Sequence, residues 1–208
     1  MIKNIIFDLD GTLIDSSADL RNAIKKAYLQ LGMDIFVPLT VIGLPIKDIV
    51  QQLTPELEPS KIIPIFRKLY DESDFPSTRL CKGIEKVKSF FPTSYLLTNK
   101  PTKPTLRILE KFQLKFKKVV CVDTYPEFIG VNKKENLAWL MNNGNMCPIQ
   151  TIMIGDTEHD ILAANGSNID SIIVMNGYGD KKKIAELKPY RTCASLNEVY
   201  SILREEVQ

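Results

Sequence analysis

Histidine is nearly missing from this chain of 208 residues, which carries only His159. With no second histidine, a Cys/His zinc cluster and a Ser-His-Asp or Cys-His hydrolase are both disfavoured. Cysteine is scarce as well. Cys81, Cys121, Cys147 and Cys193 form no CxxC pair, so free buried thiols in a reducing compartment are expected. Long apolar runs are absent too, and nothing approaches the ~18 residues that span a bilayer. The acid at Asp8 argues against a secretory signal peptide, and a cytoplasmic location is expected. Neither sign of charge is in excess: 27 Lys and Arg against 25 Asp and Glu leave a net +2. Nothing there points to nucleic acid or to a membrane surface. Lys181, Lys182 and Lys183 form the one dense basic run and read as a solvated loop.

What is present is an alternation of patterns. Near-continuously apolar, β-rich runs at residues 2–7, 95–98, 119–122, 151–154 and 171–174 read as strands buried on both faces. Helical periods occupy residues 83–90, 103–112, 134–141, 159–164 and 196–206. Strands alternating with helices predict an α/β fold, a Rossmann-like three-layer core around a parallel sheet. One interval breaks the rhythm. From residue 17 to 80 only helical periods occur, at 19–31, 46–53 and 60–70, punctuated by Pro38, Pro45, Pro55 and Pro59. This reads as a small helical domain, 17–80, inserted after the first strand into a core domain of 1–16 and 81–208.

Polar residues gather where the strands end. "FDLDGT" sets Asp8 and Asp10 after the first strand, with Gly11 and Thr12 behind them. "YLLTNK" closes the next in Thr98, Asn99 and Lys100, and "IMIGDTEHD" brings Asp156 and Asp160. In an open parallel sheet, ligands bind beyond the carboxyl ends of the strands. Acids one residue apart on an extended chain share a side and oppose each other's ionisation. A hard cation such as Mg²⁺ relieves that conflict and suits carboxylate and phosphate oxygens together. Beside a phosphoryl group, one carboxylate can attack while the second moves the proton, its pKa raised by its neighbour. Thr98, backbone N–H groups near Gly11 and Asn99, and a lysine would hold the phosphoryl oxygens.

In this order the motifs resemble those of haloacid dehalogenase superfamily phosphatases, near the phosphoglycolate phosphatase-like group with a helical cap. The similarity covers nearly the whole chain, and "VIGLPIKDI" at 41–49 resembles that group's cap loop. The resemblance implies Asp8 as nucleophile and Asp10 as general acid/base. It gives Mg²⁺ to Asp8, to Asp156 and to the main-chain carbonyl of Asp10, with Asp160 in support. Gly11, Thr12, Thr98 and Asn99 would bind the phosphate. The third motif departs from the family pattern: relatives often carry Lys-Pro, whereas "GVNKKENLAWL" has two lysines and no proline. Register against the helix that follows favours Lys133 over Lys134. The implied activity is Mg²⁺-dependent hydrolysis of a small, phosphoglycolate-like phosphate monoester through an aspartyl-phosphate, by a monomer or weak homodimer.

Two alternatives share these parts. A sugar-phosphate mutase has the same core but returns the phosphoryl group to its substrate. A receiver-type signalling domain also groups acids, a Thr and a Lys around Mg²⁺. Receivers are shorter, lack a helical insert and phosphorylate an Asp on a later strand, so the order here argues against one.

Overall fold

The computed structural model describes residues 1–125 and 132–207. Its strands are β1 (Asn4–Phe7), β2 (Ile14–Asp15), β3 (Arg79–Leu80), β4 (Tyr95–Thr98), β5 (Lys118–Cys121), β6 (Thr151–Gly155), β7 (Asp170–Val174) and β8 (Arg191–Cys193). β1, β4, β5, β6 and β7 follow the apolar runs, whereas the two-residue β3 falls at the end of the interval expected to be helical only. Among the described residues, six of them form one parallel sheet in the order β5-β4-β1-β6-β7-β8, and β2 pairs with β3 separately.

The central strand shows why the runs are so apolar. Ile6 pairs across with Tyr95 and Met153, and Phe7 with Leu96 and Ile154. Ile6 clusters with Leu97, Val120, Leu137, Leu140 and Ala163. Phe7 meets the edge of Phe91 at 5.2 Å. Both residues are fully buried, as in a sheet covered by helices on its two faces. β8 escaped the sequence reading because Cys193 alone of its three residues is buried, which leaves no apolar run to detect.

The chain divides into two compact units, Met1–Ile14 with Leu80–Gln208, and Asp15–Arg79. The second holds α1 (Ser17–Gln30), α2 (Ile46–Leu53) and α3 (Pro59–Asp71). Pro59 sits at the start of α3, where a missing N–H leaves no intrahelical bond unmade. Inside this unit α1 packs on α3, and Tyr28 shares a 2.7 Å hydrogen bond with Thr54. The buried Asp19 carboxylate accepts from the Thr78 N–H and hydroxyl, each at 2.7 Å. That ties the first helix to the returning chain.

The sheet unit carries α4 (Ile84–Val87), α5 (Thr102–Lys111), α6 (Lys133–Asn143), α7 (Glu158–Gly166), α8 (Lys181–Leu187) and α9 (Leu196–Glu206). α6 packs along α7, and α9 packs against α4, β7 and β8. Three local expectations need correction. The helix expected over 83–90 is α4 followed by a 3-10 helix, Lys88–Thr93. Pro92 has no N–H for an α-type bond, and the chain tightens into i+3 turns instead. The basic run is the first turn of α8, not a loop. Asp180 caps it by accepting from the N–H of Lys182 at 2.9 Å, and Lys183 reaches Glu158 at 3.2 Å. Of the thiols, Cys121 and Cys193 are buried, but Cys81 is half-buried and Cys147 is exposed just before a short 3-10 helix, Pro148–Gln150.

β1 lies between β4 and β6, so the chain departs to both sides of it. The carboxyl ends of these three strands therefore converge at the topological switch point, where such sheets bind ligands.

Candidate active site

Each acid enters the site from the end of a strand. Asp8 continues β1, its N–H bonded to the Ile154 carbonyl at 2.8 Å. Gly11 then turns the chain with φ +84°, and a Cβ there would come within 2.0 Å of an Asp156 carboxylate oxygen. Only glycine meets both demands. Asp156 follows β6, and its carboxylate accepts from the Thr12 hydroxyl at 3.0 Å and the Tyr178 N–H at 2.7 Å. A helix-capping role for Asp156 is the plain alternative, and the structure gives that role to its neighbours. Asp160 Oδ2 accepts from the N–H of Asp156, and from the N–H and hydroxyl of Thr157, at 2.9 to 3.1 Å. Asp160 thereby closes the first turn of α7.

Lys133 stands at the start of α6, which Asn132 and Glu135 cap reciprocally at 3.1 and 3.2 Å. Its buried ammonium contacts Asp8 Oδ1 and lies 2.6 Å from Asp160 Oδ1. Lys134 is exposed. The Gly130-Val131 pair that opens this motif lies outside the described residues. The β4 end supplies a second ammonium. Lys100 Nζ is 3.1 Å from Asp10 Oδ1, and the Lys100 N–H donates to Thr98 Oγ1 at 3.1 Å. Asn99 beside them is half-buried.

The structure thus brings Asp8, Asp156, Asp160 and Lys133 into direct proximity and joins Asp10 to Lys100. Thr12, read from the sequence as a phosphate ligand, has its hydroxyl engaged by Asp156. Two partners were not assigned from the sequence: Lys100 for Asp10, and the Tyr178 N–H for Asp156. The adjacency of Lys100 to Thr98 in "TNK", and the "NGYG" turn that contains Tyr178, are the signals that could have found them.

Burial dominates the electrostatics. It pushes the Asp8 carboxyl up to about 7, with Asp160 and Asp10 adding to the rise and Lys133 opposing it. Burial likewise holds Asp156 well above the usual carboxylate range, helped by the charges of Asp8 and Asp160. Asp160 is the exception. Burial raises it too, but Lys133 and the Thr157 donors outweigh burial and leave it low. Burial would lower Lys133, yet Asp160 and Asp8 together raise it. Asp10, next in the motif, has the Lys100 ammonium as its neighbour.

Carboxylate oxygens of Asp8, Asp156 and Asp160 all lie within 4.8 Å of one another. Among the described residues, two ammonium groups face four acids here once Asp10 is included. The shortfall of positive charge and the all-oxygen donor set fit one hard divalent cation. Asp160 is already committed to Lys133 and the helix start, so Asp8 and Asp156 are the side chains suited to hold it.

The family model for haloacid dehalogenase-like hydrolases matches residues 5–174. A phosphoglycolate phosphatase from Photobacterium profundum is 30% identical, the match covering 90% of each chain. One from Vibrio vulnificus is also 30% identical, over 97% of this chain and 96% of the other. Among solved structures, a haloacid dehalogenase-like hydrolase from Streptococcus pneumoniae superposes with TM-score 0.86 at 24% identity, covering 97% of this chain and 98% of its own. CbbY from Rhodobacter sphaeroides in complex with phosphate superposes with TM-score 0.77 at 16% identity, covering 96% of each. At those identities the structures speak for the shared fold.

Proposed function

Because this chain belongs to the haloacid dehalogenase-like hydrolases, we propose that it is a Mg²⁺-dependent phosphomonoesterase acting on a small, phosphoglycolate-like metabolite through an aspartyl-phosphate at Asp8. The observation that carries this reading is the buried cluster of Asp8, Asp156 and Asp160 around Lys133, short of positive charge at the strand ends. The curated relatives that are 30% identical to it are named for phosphoglycolate, which supports the substrate class.

Each residue has a task in this reading. Lys133 holds the Asp8 carboxylate by one oxygen, so the other can attack phosphorus in line with the leaving group. Asp10 gives its proton to the departing oxygen and later takes one from the attacking water. Thr98 already accepts from the Lys100 N–H, which leaves its own O–H to donate to a phosphoryl oxygen. Backbone N–H groups near Gly11 and Asn99 serve the remaining oxygens. Asp8 and Asp156, with the Asp10 main-chain carbonyl, would hold Mg²⁺, which supplies the positive charge that lets a phosphate dianion approach a carboxylate. Thr12 and Tyr178 orient Asp156 for that task. The protein works in the cytoplasm as a monomer or weak homodimer. Among the described residues no helix is long and apolar enough to cross a membrane.

The test is turnover of p-nitrophenyl phosphate and of a panel of phosphorylated metabolites, with Mg²⁺ and with excess EDTA. Mg²⁺-dependent release of phosphate, fastest with a short phosphorylated carboxylate, is expected. Undiminished rates in EDTA overturn the metal assignment. Intact esters after incubation with Mg²⁺ overturn the phosphatase.

A further inference from the structure

We infer that Lys100 is the positioning residue for the acid/base step, anchoring the Asp10 carboxylate so that it meets the leaving oxygen in one fixed orientation. The inference rests on the reading of Asp10 as general acid/base. It goes beyond that reading by assigning a role to a lysine that neither holds the nucleophile nor belongs to the cluster around Lys133.

The geometry is specific. The Lys100 side chain is only 3% exposed, and its ammonium lies 3.1 Å from Asp10 Oδ1. Burying an ammonium this deeply is costly unless a partner oxygen meets it, and Asp10 Oδ1 does. Asp10 itself is 19% exposed on its side chain, more open than the buried Asp8. A carboxylate on a short, partly open side chain can rotate. One oxygen pinned by a buried cation removes that freedom and leaves the second oxygen for the proton. Lys100 is fixed in turn, because its N–H is bonded to Thr98 Oγ1 at the end of β4. Three consecutive residues thus couple phosphate binding at Thr98 to the placement of Asp10.

Proton transfer needs the acid within hydrogen-bond reach of the departing oxygen, so losing the anchor should harm that step selectively. In the first half-reaction an Asp8 oxygen forms a bond to phosphorus as the ester O–P bond breaks. The leaving oxygen keeps the bonding pair and takes the proton of Asp10. The products are an acyl phosphate, an alcohol and the Asp10 carboxylate. An alkyl ester needs that proton far more than a p-nitrophenyl ester, whose phenolate leaves readily.

The experiment compares kcat/KM, which reports the first irreversible step, for an alkyl and a p-nitrophenyl phosphate monoester. Wild type is set beside Lys100→Met, Lys100→Arg, Asp10→Asn and the double variant Asp10→Asn/Lys100→Met, all in saturating Mg²⁺. Lys100→Met should lower the alkyl value by roughly ten- to a hundredfold and the aryl value by a few fold, within the range of general acid catalysis. Lys100→Arg should recover part of the alkyl rate, and the double variant should be no slower on the alkyl ester than Asp10→Asn alone. Equal losses on both esters make Lys100 a substrate ligand and overturn the inference. Additive losses in the double variant also overturn it. If Lys100→Met fails to fold, Lys100→Gln gives the same comparison. Should Asp10→Asn leave the alkyl-to-aryl ratio at the wild-type value, the acid/base reading itself fails and takes the inference with it. A ratio that moves with Asp10→Asn but not with Lys100→Met defeats the Lys100 inference alone.

Discussion

Lys133 Nζ lies 2.6 Å from Asp160 Oδ1, with both side chains buried. The pair joins the first turn of α6 to the first turn of α7, while the other Asp160 oxygen closes the start of α7. Removing the acid takes one of its two carboxylates from the Lys133 ammonium and strands three donors at the start of α7. Asp160→Ala should therefore cost about 3–5 kcal/mol of stability, as expected when one partner of a buried ion pair is deleted. Asp160→Asn keeps an acceptor for the backbone donors and should cost less. Urea unfolding checks both. An alanine variant within about 1 kcal/mol of wild type would show that the pair is structurally idle.

The two adjacent lysines should separate cleanly. Lys133→Ala leaves Asp8 without its cation and should lower kcat/KM by roughly a hundredfold or more, in the range of a lost electrostatic contact at a reacting group. Lys134 is exposed, and Lys134→Ala should stay within about twofold, as for surface substitutions remote from a site. Steady-state kinetics on one aryl phosphate decides it. A larger loss at Lys134 would place the phosphate-site lysine one residue later.

Asp8 and Asp10 should fail in different ways. Asp8→Asn removes the proposed nucleophile, so no covalent adduct should form. Asp10→Asn keeps the attacking carboxylate, and an ester with a good leaving group can still phosphorylate it. Hydrolysis of the adduct then slows by ~10²–10⁴, because no base takes the proton from water. Intact-mass spectrometry after rapid mixing with an activated ester should find the adduct on Asp10→Asn alone. An adduct on Asp8→Asn would mean another nucleophile.

Burial pushes the Cys193 thiol from 9.0 up to about 11, with Glu198 adding to the rise and Arg191 opposing it. The folded protein then keeps a proton that the unfolded chain gives up between those values. Stability from this group is unchanged below pH 9 and falls as the pH rises toward 11. Urea midpoints at pH 8, 10 and 11 should show a steeper decline for wild type than for Cys193→Ala. Parallel declines would remove the thiol as the cause.

The sequence by itself determined most of the central sheet and the strand ends at which its acids gather. A strand buried on both faces must be apolar along its length, so β1, β4, β6 and β7 were visible as runs. The acids just after β1 and β6 stood out because a buried strand rarely ends in charge without a use for it. Tertiary structure decided which groups meet. Thr12 and Asp156 are separated by 144 residues, and Lys133 and Asp8 by 125. No local period records contacts of that range; they exist because β1 is flanked by β4 and β6, so that the three strand ends share one crevice. The sequence sets Thr12 beside the acids, and only the fold shows its hydroxyl donating to Asp156. Lys100 could pass as one more polar residue at a strand end when it carries the partner of Asp10. α8 was hidden for the opposite reason: three consecutive lysines look like a loop until Asp180 caps the turn and Glu158, from a neighbouring helix, takes up the charge of Lys183.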